Sequence, residues 1–221
     1  VRIPEGVRDV IGRRLSRLSE RCNQVLTVAS AVGRQFEMRL LAKVVEGLSE
    51  GMLLEALEEA LSARVIEELP RIAGRYQFTH GLIHETLYEE LTTTRRVRLH
   101  AQIAEALEAL YGANAEAHAA ELAHHFAEAE ALLGSEKLVR YSHLAGEKAR
   151  SSYAYEEALS HFQRGLAAKE GKPMDMETAN LLFGLGRAQC SGLERHRLQE
   201  AVDSLRRAFD YYVKAGDVTH A

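Results

Sequence analysis

The 221-residue sequence has no tryptophan, three prolines, two cysteines, and no apolar run approaching the ~18 residues that a membrane-spanning helix needs. Each shortage excludes something. Scarce proline leaves helices uninterrupted. Cys22 and Cys190, both in apolar helical surroundings (RCNQVLTVAS and GRAQCSGL), are too few for a disulfide framework and fit reduced thiols in the cytosol. The N-terminus lacks a basic segment leading into an apolar stretch, so the expectation is a soluble, cytoplasmic chain with no membrane contact. Basic excess is missing as well. A net charge of −4 gives no general footprint for a nucleic-acid backbone. The first residue is Val1 rather than Met, which is the expectation for a segment of a longer protein.

What is present favours helix: 46% hydrophobic residues, with Ala, Leu, Glu and Arg frequent. After Pro4, the residues Val7, Val10, Ile11, Leu15 and Leu18 form one apolar face, with Arg8, Arg13, Arg14 and Arg17 on the others. Ser19 is placed to cap a second helix that ends near Gly33. A third carries Leu40, Leu41, Val44 and Val45 and stops at Gly47. Ser49 caps a fourth, EGMLLEALEEALSAR, expected to bury Leu53, Leu54, Leu57 and Leu61. VIEEL and RYQF flank the turn-prone PRIAG and predict a β-hairpin. Three helices followed by a hairpin is the winged-helix order.

Beyond about residue 95 only amphipathic helices follow, with Leu99, Ile103, Leu107 and Leu110, then Leu122, Phe126 and Leu132, as apolar positions. Two units there resemble each other. Gly146 precedes Ala158, Phe162 and Gly165, and Gly186 precedes Ala201, Leu205 and Ala208 with three extra residues in the turn SGLERHR. Small residues where antiparallel helices cross, with a large one filling the groove, is the packing of tetratricopeptide-type repeats, whose concave surface suits proteins or peptides. The expected fold is therefore mainly α, with a winged-helix module and its small β-hairpin over 1–94 and antiparallel helix pairs of a tetratricopeptide-like solenoid over 95–221.

Candidate chemistry concentrates in YQFTHGLIHETLYEEL, residues 76–91. On a helix His80 and His84 share a face, but a zinc site needs a third ligand, and Glu85 points about 100° away. Neither zincin order matches HGLIHE. One reading makes His80 and His84 structural residues of a helix start, with Phe78, Leu82, Ile83 and Leu87 as core. A second reading, given below, makes His80 a ligand contact. In HAAELAHHF, His118, Glu121 and His125 share a face and Glu121 and His124 form an E-x-x-H pair, but a di-metal bundle needs a second copy, so these read as packing histidines. Arg95, Arg96 and Arg98 in TTTRRVRLH read as a solvated helix start after a Thr cap, or else as a contact to acidic or phosphate groups.

The helix at the recognition position carries Glu50, Glu55, Glu58 and Glu59, and the wing sets Arg71 and Arg75 against Glu67 and Glu68, which argues against direct DNA binding. No nucleophile elbow, activated cysteine or Gly-rich loop is present, so no catalytic residue, no metal site and no enzyme activity are expected of this segment.

The runs IPEGVRDVIGRRLSRLSERCNQVLTVASAVGRQFEMRLLAKVVEGLSE, LLEALEEALSARVIEEL, YQFTHGLIHETLYEELTTTRRVRLHAQIAEALEALYG and HAAELAHHF resemble the C-terminal part of bacterial STAND-class signalling ATPases. That class includes LuxR-type transcription regulators and ATPases joined to adenylate cyclase or kinase domains. The resemblance implies an upstream ATPase core in the same parent protein, a winged helix docking on it, and repeats that bind a protein or small-molecule inducer. It also implies that His80, in the F-x-H pattern Phe78, Thr79, His80, reaches the phosphate of ATP or ADP held by the parent. Family members often carry Arg at the position of His84. No G-x-x-x-x-G-K-[ST] sequence occurs, so no cofactor is expected in this fragment itself. The alternative expectation is a stand-alone tetratricopeptide-like protein-binding scaffold without nucleotide coupling.

Overall fold

The computed structural model describes residues 11–70, 72–192 and 198–217. Val7, Val10 and Arg8 of the first amphipathic face, Arg71 of the wing, and residues 193–197 of the SGLERHR turn lie outside the described residues. The chain forms two compact units, Val1–Leu110 and Tyr111–Ala221. The described residues are mainly α-helical, with one small antiparallel sheet among them. No described helix is long and apolar enough to cross a membrane.

In the first unit α1 is helical over residues 11–15, and α2 spans Glu20–Val32. Ser19 caps α2 as its spacing implies, its Oγ accepting from the Cys22 N–H. The helix ends at Gly33, whose φ of 140° is in the region glycine alone adopts freely. Strand β1 (Gln35–Glu37) and α3 (Met38–Val44) follow. Ser49 then starts α4 (Glu50–Ser62) by accepting from the Met52 N–H. The far end of α4 is held by Arg14, whose guanidinium donates to the carbonyls of Ala63 and Arg64.

Strands β2 (Ile66–Glu68) and β3 (Arg75–Phe78) form the expected hairpin, but it belongs to a three-stranded sheet of order β1-β3-β2. Phe36 pairs with Tyr76 and Ile66 with Phe78. The alternation along β3 buries Tyr76 and Phe78, and Leu26 of α2, Leu41 of α3 and Leu53 and Leu57 of α4 are buried in the same unit. Leu54 and Leu82, expected inside, are 42% and 38% exposed, and Leu61 is half-buried; on α4 Ala56 and Ala60 take inward positions, while Ile83 is buried as expected. After β3 come α5 (Gly81–Glu89) and α6 (Thr93–Tyr111), the latter burying Leu99, Ile103 and Leu107.

The second unit begins with a 3-10 turn, Gly112–His118, followed by α7 (Ala119–Glu128), the short α8 (Glu130–Leu133), α9 (Glu136–Ser151), α10 (Tyr155–Ala167), α11 (Met176–Gly192) and α12 (Leu198–Ala215). The three-residue link Ser152–Ala154 makes α9 and α10 antiparallel neighbours, and α11 packs on both α10 and α12. The glycines explain how closely these helices approach. A Cβ on Gly146 would lie 2.6 Å from the Phe162 ring, and one on Gly186 would lie 2.6 Å from Leu205. Phe162, fully buried, also abuts Gly184, so one aromatic ring fills the groove between α9 and α11. The two glycine-to-large-residue crossings inferred from spacing are thus equivalent contacts in successive helix pairs.

Candidate functional site

The stretch that drew attention in the sequence runs from β3 into α5. Phe78 closes the strand inside the core, and Thr79 is pinned next to it, its Oγ1 donating to the carbonyls of Arg64 and Val65. This anchoring fixes His80 as the N-cap of α5, in an extended conformation with φ −136° and ψ 134°. Its side chain makes no capping hydrogen bond and is exposed. The exposed imidazole thus stands at the N-terminus of a nine-residue helix, beside first-turn N–H groups of which that of Ile83 donates to the His80 carbonyl.

His84 has a different fate. Its Nε2 lies 2.9 Å from the Ser30 carbonyl, which makes that nitrogen the donor, and burial lowers its pKa so that the neutral ring persists at neutral pH. The ring sits between Phe78, at 5.5 Å, and Tyr88, at 6.2 Å and nearly parallel. Tyr88 in turn places its hydroxyl 3.0 Å from His100 Nε2 and its face under Arg96, 4.5 Å away. His84 is a packing residue tying α5 to α2. His80 and His84 do not come together as a ligand pair, and neither belongs to a group of three potential metal ligands among the described residues.

The basic run splits similarly. Thr92 Oγ1 accepts from the Arg95 N–H, as expected of a Thr-capped start, and Arg95 and Arg98 are exposed. Arg96 is half-buried against Tyr88. On α4, Glu50, Glu55 and Glu58 are exposed, while Glu59 accepts from the N–H and Oγ of Ser19.

The expectation that this fragment offers nothing to a cofactor is corrected. His100, His124 and His125 each present a ring nitrogen, and these atoms lie within 4.8 Å of one another. Inspection of local spacing missed this set because His100 has no ligating partner three or four residues away. Of the other residues considered for metal, His118 stacks on Tyr111 at 3.6 Å, and Glu121 accepts from the Tyr111 hydroxyl at 2.6 Å. Both serve packing.

A second feature went unnoticed in the sequence. Beside the Gly112–His118 turn, on α9 and α11, a pocket of about 310 Å³ is lined by Glu116, Glu136, Lys137, Val139, Arg140, His143, Leu144, Glu177 and Asn180. Asn180 is oriented by the Tyr212 hydroxyl, 2.9 Å from its Oδ1, and Glu177 accepts from Lys169 at 2.6 Å. Burial lowers the pKa of His143, leaving it a neutral donor or acceptor. The pocket thus sets Lys137 and Arg140 against three carboxylates, Glu116, Glu136 and Glu177, with Arg140 paired to Glu116 at 3.4 Å, and adds the Asn180 amide. Its mixed charge suits a polar ligand or peptide with hydrogen-bonding groups of both kinds.

No family model, curated protein or solved structure matches the chain.

Proposed function

We propose that this chain is the regulatory and sensor segment of a STAND-type signalling ATPase or transcription regulator. In this reading the first unit is a winged helix that docks on an upstream ATPase core, and the second is a tetratricopeptide-like array that binds a protein or small-molecule inducer. The observation that carries the proposal is His80: it is exposed at the start of α5 with no capping bond, whereas His84, one turn on, is consumed by packing. An exposed imidazole N–H beside first-turn backbone N–H groups suits the phosphate of a nucleotide held by another domain. The order of helices followed by a hairpin in the first unit, and the repeated glycine crossings in the second, support the same architecture.

The segment itself would then perform no catalysis. His80 would stabilise the ADP-bound resting state of the parent. An inducer on the repeats would shift that state only by binding the open and closed forms with different affinity. The acidic outer face of α4 disfavours DNA as a direct partner. The test is His80→Ala in the full-length parent, read as ADP retention and basal output. Faster ADP loss with raised output supports the proposal, and unchanged values of both refute it.

A second reading, a protein-binding scaffold without nucleotide coupling, is favoured by the pocket on α9 and α11, which needs no nucleotide to bind a partner. A parent in which inducer affinity is the same with ADP, ATP or neither bound would support that reading instead.

A further inference from the structure

The buried face of α12 consists of Ala201, Ser204, Ala208 and Tyr212, packed on α11. A second apolar stripe runs beside it. Leu198, Val202, Phe209 and Val213 are between 37% and 53% exposed. At 3.6 residues per turn these four fall within about 60° of arc along a helix about 27 Å long. In the preceding helix pair the corresponding surface is covered: Leu166, which stands to Phe162 as Phe209 stands to Leu205, packs against the cluster of Ala179, Leu182, Ala208 and Tyr212. The stripe on α12 is a helix-packing surface that no described residue covers to that extent.

Its residue order indicates the occupant. The midpoint of the stripe falls between Leu205 and Arg206. Leu198 and Val213 lie equally far from it, as do Val202 and Phe209. Turning a second α12 end for end therefore places Leu198 opposite Val213 and Val202 opposite Phe209, so the stripe is complementary to itself. The flanking charges agree with this register. Asp203, which accepts from Gln199, and Arg206 are both exposed on the same side of the stripe, and the same rotation brings Arg206 of one copy within two residues' rise, ~3 Å along the axis, of Asp203 of the other, twice per pair. Self-complementarity of shape and charge about a two-fold axis is the requirement for an isologous interface.

We infer that the exposed face of α12 is a self-association surface on which a second copy of this chain packs antiparallel. One helix per copy falls short of the ~1,200–2,000 Å² that stable complexes bury, so the dimer is weak and concentration-dependent. The inference is independent of nucleotide coupling.

Sedimentation velocity over a concentration series of the 221-residue chain tests it. The wild-type chain is expected to shift from monomer towards dimer as concentration rises. Phe209→Glu, at a position that contributes little to the packing on α11, should remain monomeric while keeping its helical circular dichroism and thermal midpoint. Asp203→Arg and Arg206→Asp should each weaken association several-fold, and the double variant should restore it. A wild-type chain that stays monomeric throughout overturns the proposal. So does a folded Phe209→Glu chain that dimerises like wild type, and failure of the double variant to restore association overturns the antiparallel pairing.

Discussion

The ring of Phe162 occupies the space a side chain on Gly146 would need: a Cβ there would lie 2.6 Å from the ring. The same ring abuts Gly184 on the next helix pair, so a single side chain sets the spacing of α9 against both α10 and α11. Gly146→Ala is expected to destabilise the chain by ~1–3 kcal/mol through overpacking, despite the better helix propensity of alanine. Phe162→Ala should cost ~3–5 kcal/mol by leaving a cavity. Urea denaturation of both variants checks these values. A stabilised Gly146→Ala would show that the helices can separate freely.

Asp175 secures the start of α11. It accepts from the Thr178 N–H and hydroxyl, and from Lys169 Nζ at 2.5 Å. Burial opposes its ionisation, but these hydrogen bonds outweigh that and hold its carboxyl at about 2. Asp175→Ala should cost about 1 kcal/mol, as loss of a helix cap does. Because the folded pKa lies below the unfolded one, this contribution is present above pH ~4 and is lost as pH falls towards 2. The wild-type chain and the variant should accordingly converge in stability in strong acid, which acid titration of their denaturation midpoints will show.

Three half-buried histidines set a second pH dependence. Burial lowers the pKa values of His84, His143 and His161 below the ordinary value of 6.5. The unfolded chain therefore binds more protons than the folded one just below that pH. Stability is expected to be constant above pH ~7 and to decline as pH drops below ~6.5. Thermal midpoints between pH 8 and 5 measure this directly. His84→Phe should flatten part of the decline, since it keeps the ring stacking on Phe78 and Tyr88 while removing the proton-binding group; its lost bond to Ser30 should cost about 1–3 kcal/mol at neutral pH.

The two thiols should react at very different rates. Cys190 is exposed, whereas Cys22 is fully buried, donates to the Ala56 carbonyl, and has its thiol pushed up to about 12, chiefly by burial. Titration with a thiol reagent should modify one cysteine in the native chain and two in denaturant. Rapid modification of both without denaturant would mean that α2 and α4 are not packed as described.

Much of this architecture was legible in the sequence because it is written locally. Ser19, Ser49 and Gly33 mark helix ends through contacts within three or four residues. The glycine crossings were legible for a related reason, since a repeat shows its packing positions twice. Strand β1 was not, because three residues are too few to display alternation, and it exists through its pairing with β3. Leu54 and Leu82 were misplaced because an apolar residue beside a helix face looks like part of it, and only the neighbouring elements decide which positions are covered. The position of His80 at the junction of strand and helix was legible in YQFTHGL, whereas the grouping of His100 with His124 and His125 leaves no local pattern.

The central claim, that His80 serves a nucleotide held elsewhere in the parent protein, is tested most directly by the rate at which labelled ADP leaves the purified full-length protein, wild type against His80→Ala. His84→Phe, in which the neighbouring histidine is replaced and His80 kept, serves as the control. Loss of ADP that is at least tenfold faster in His80→Ala, with the control close to wild type, is the expected result; a tenfold change corresponds to about 1.4 kcal/mol, near the lower end of what a hydrogen bond to a charged group contributes. Equal release rates for wild type and His80→Ala would contradict it.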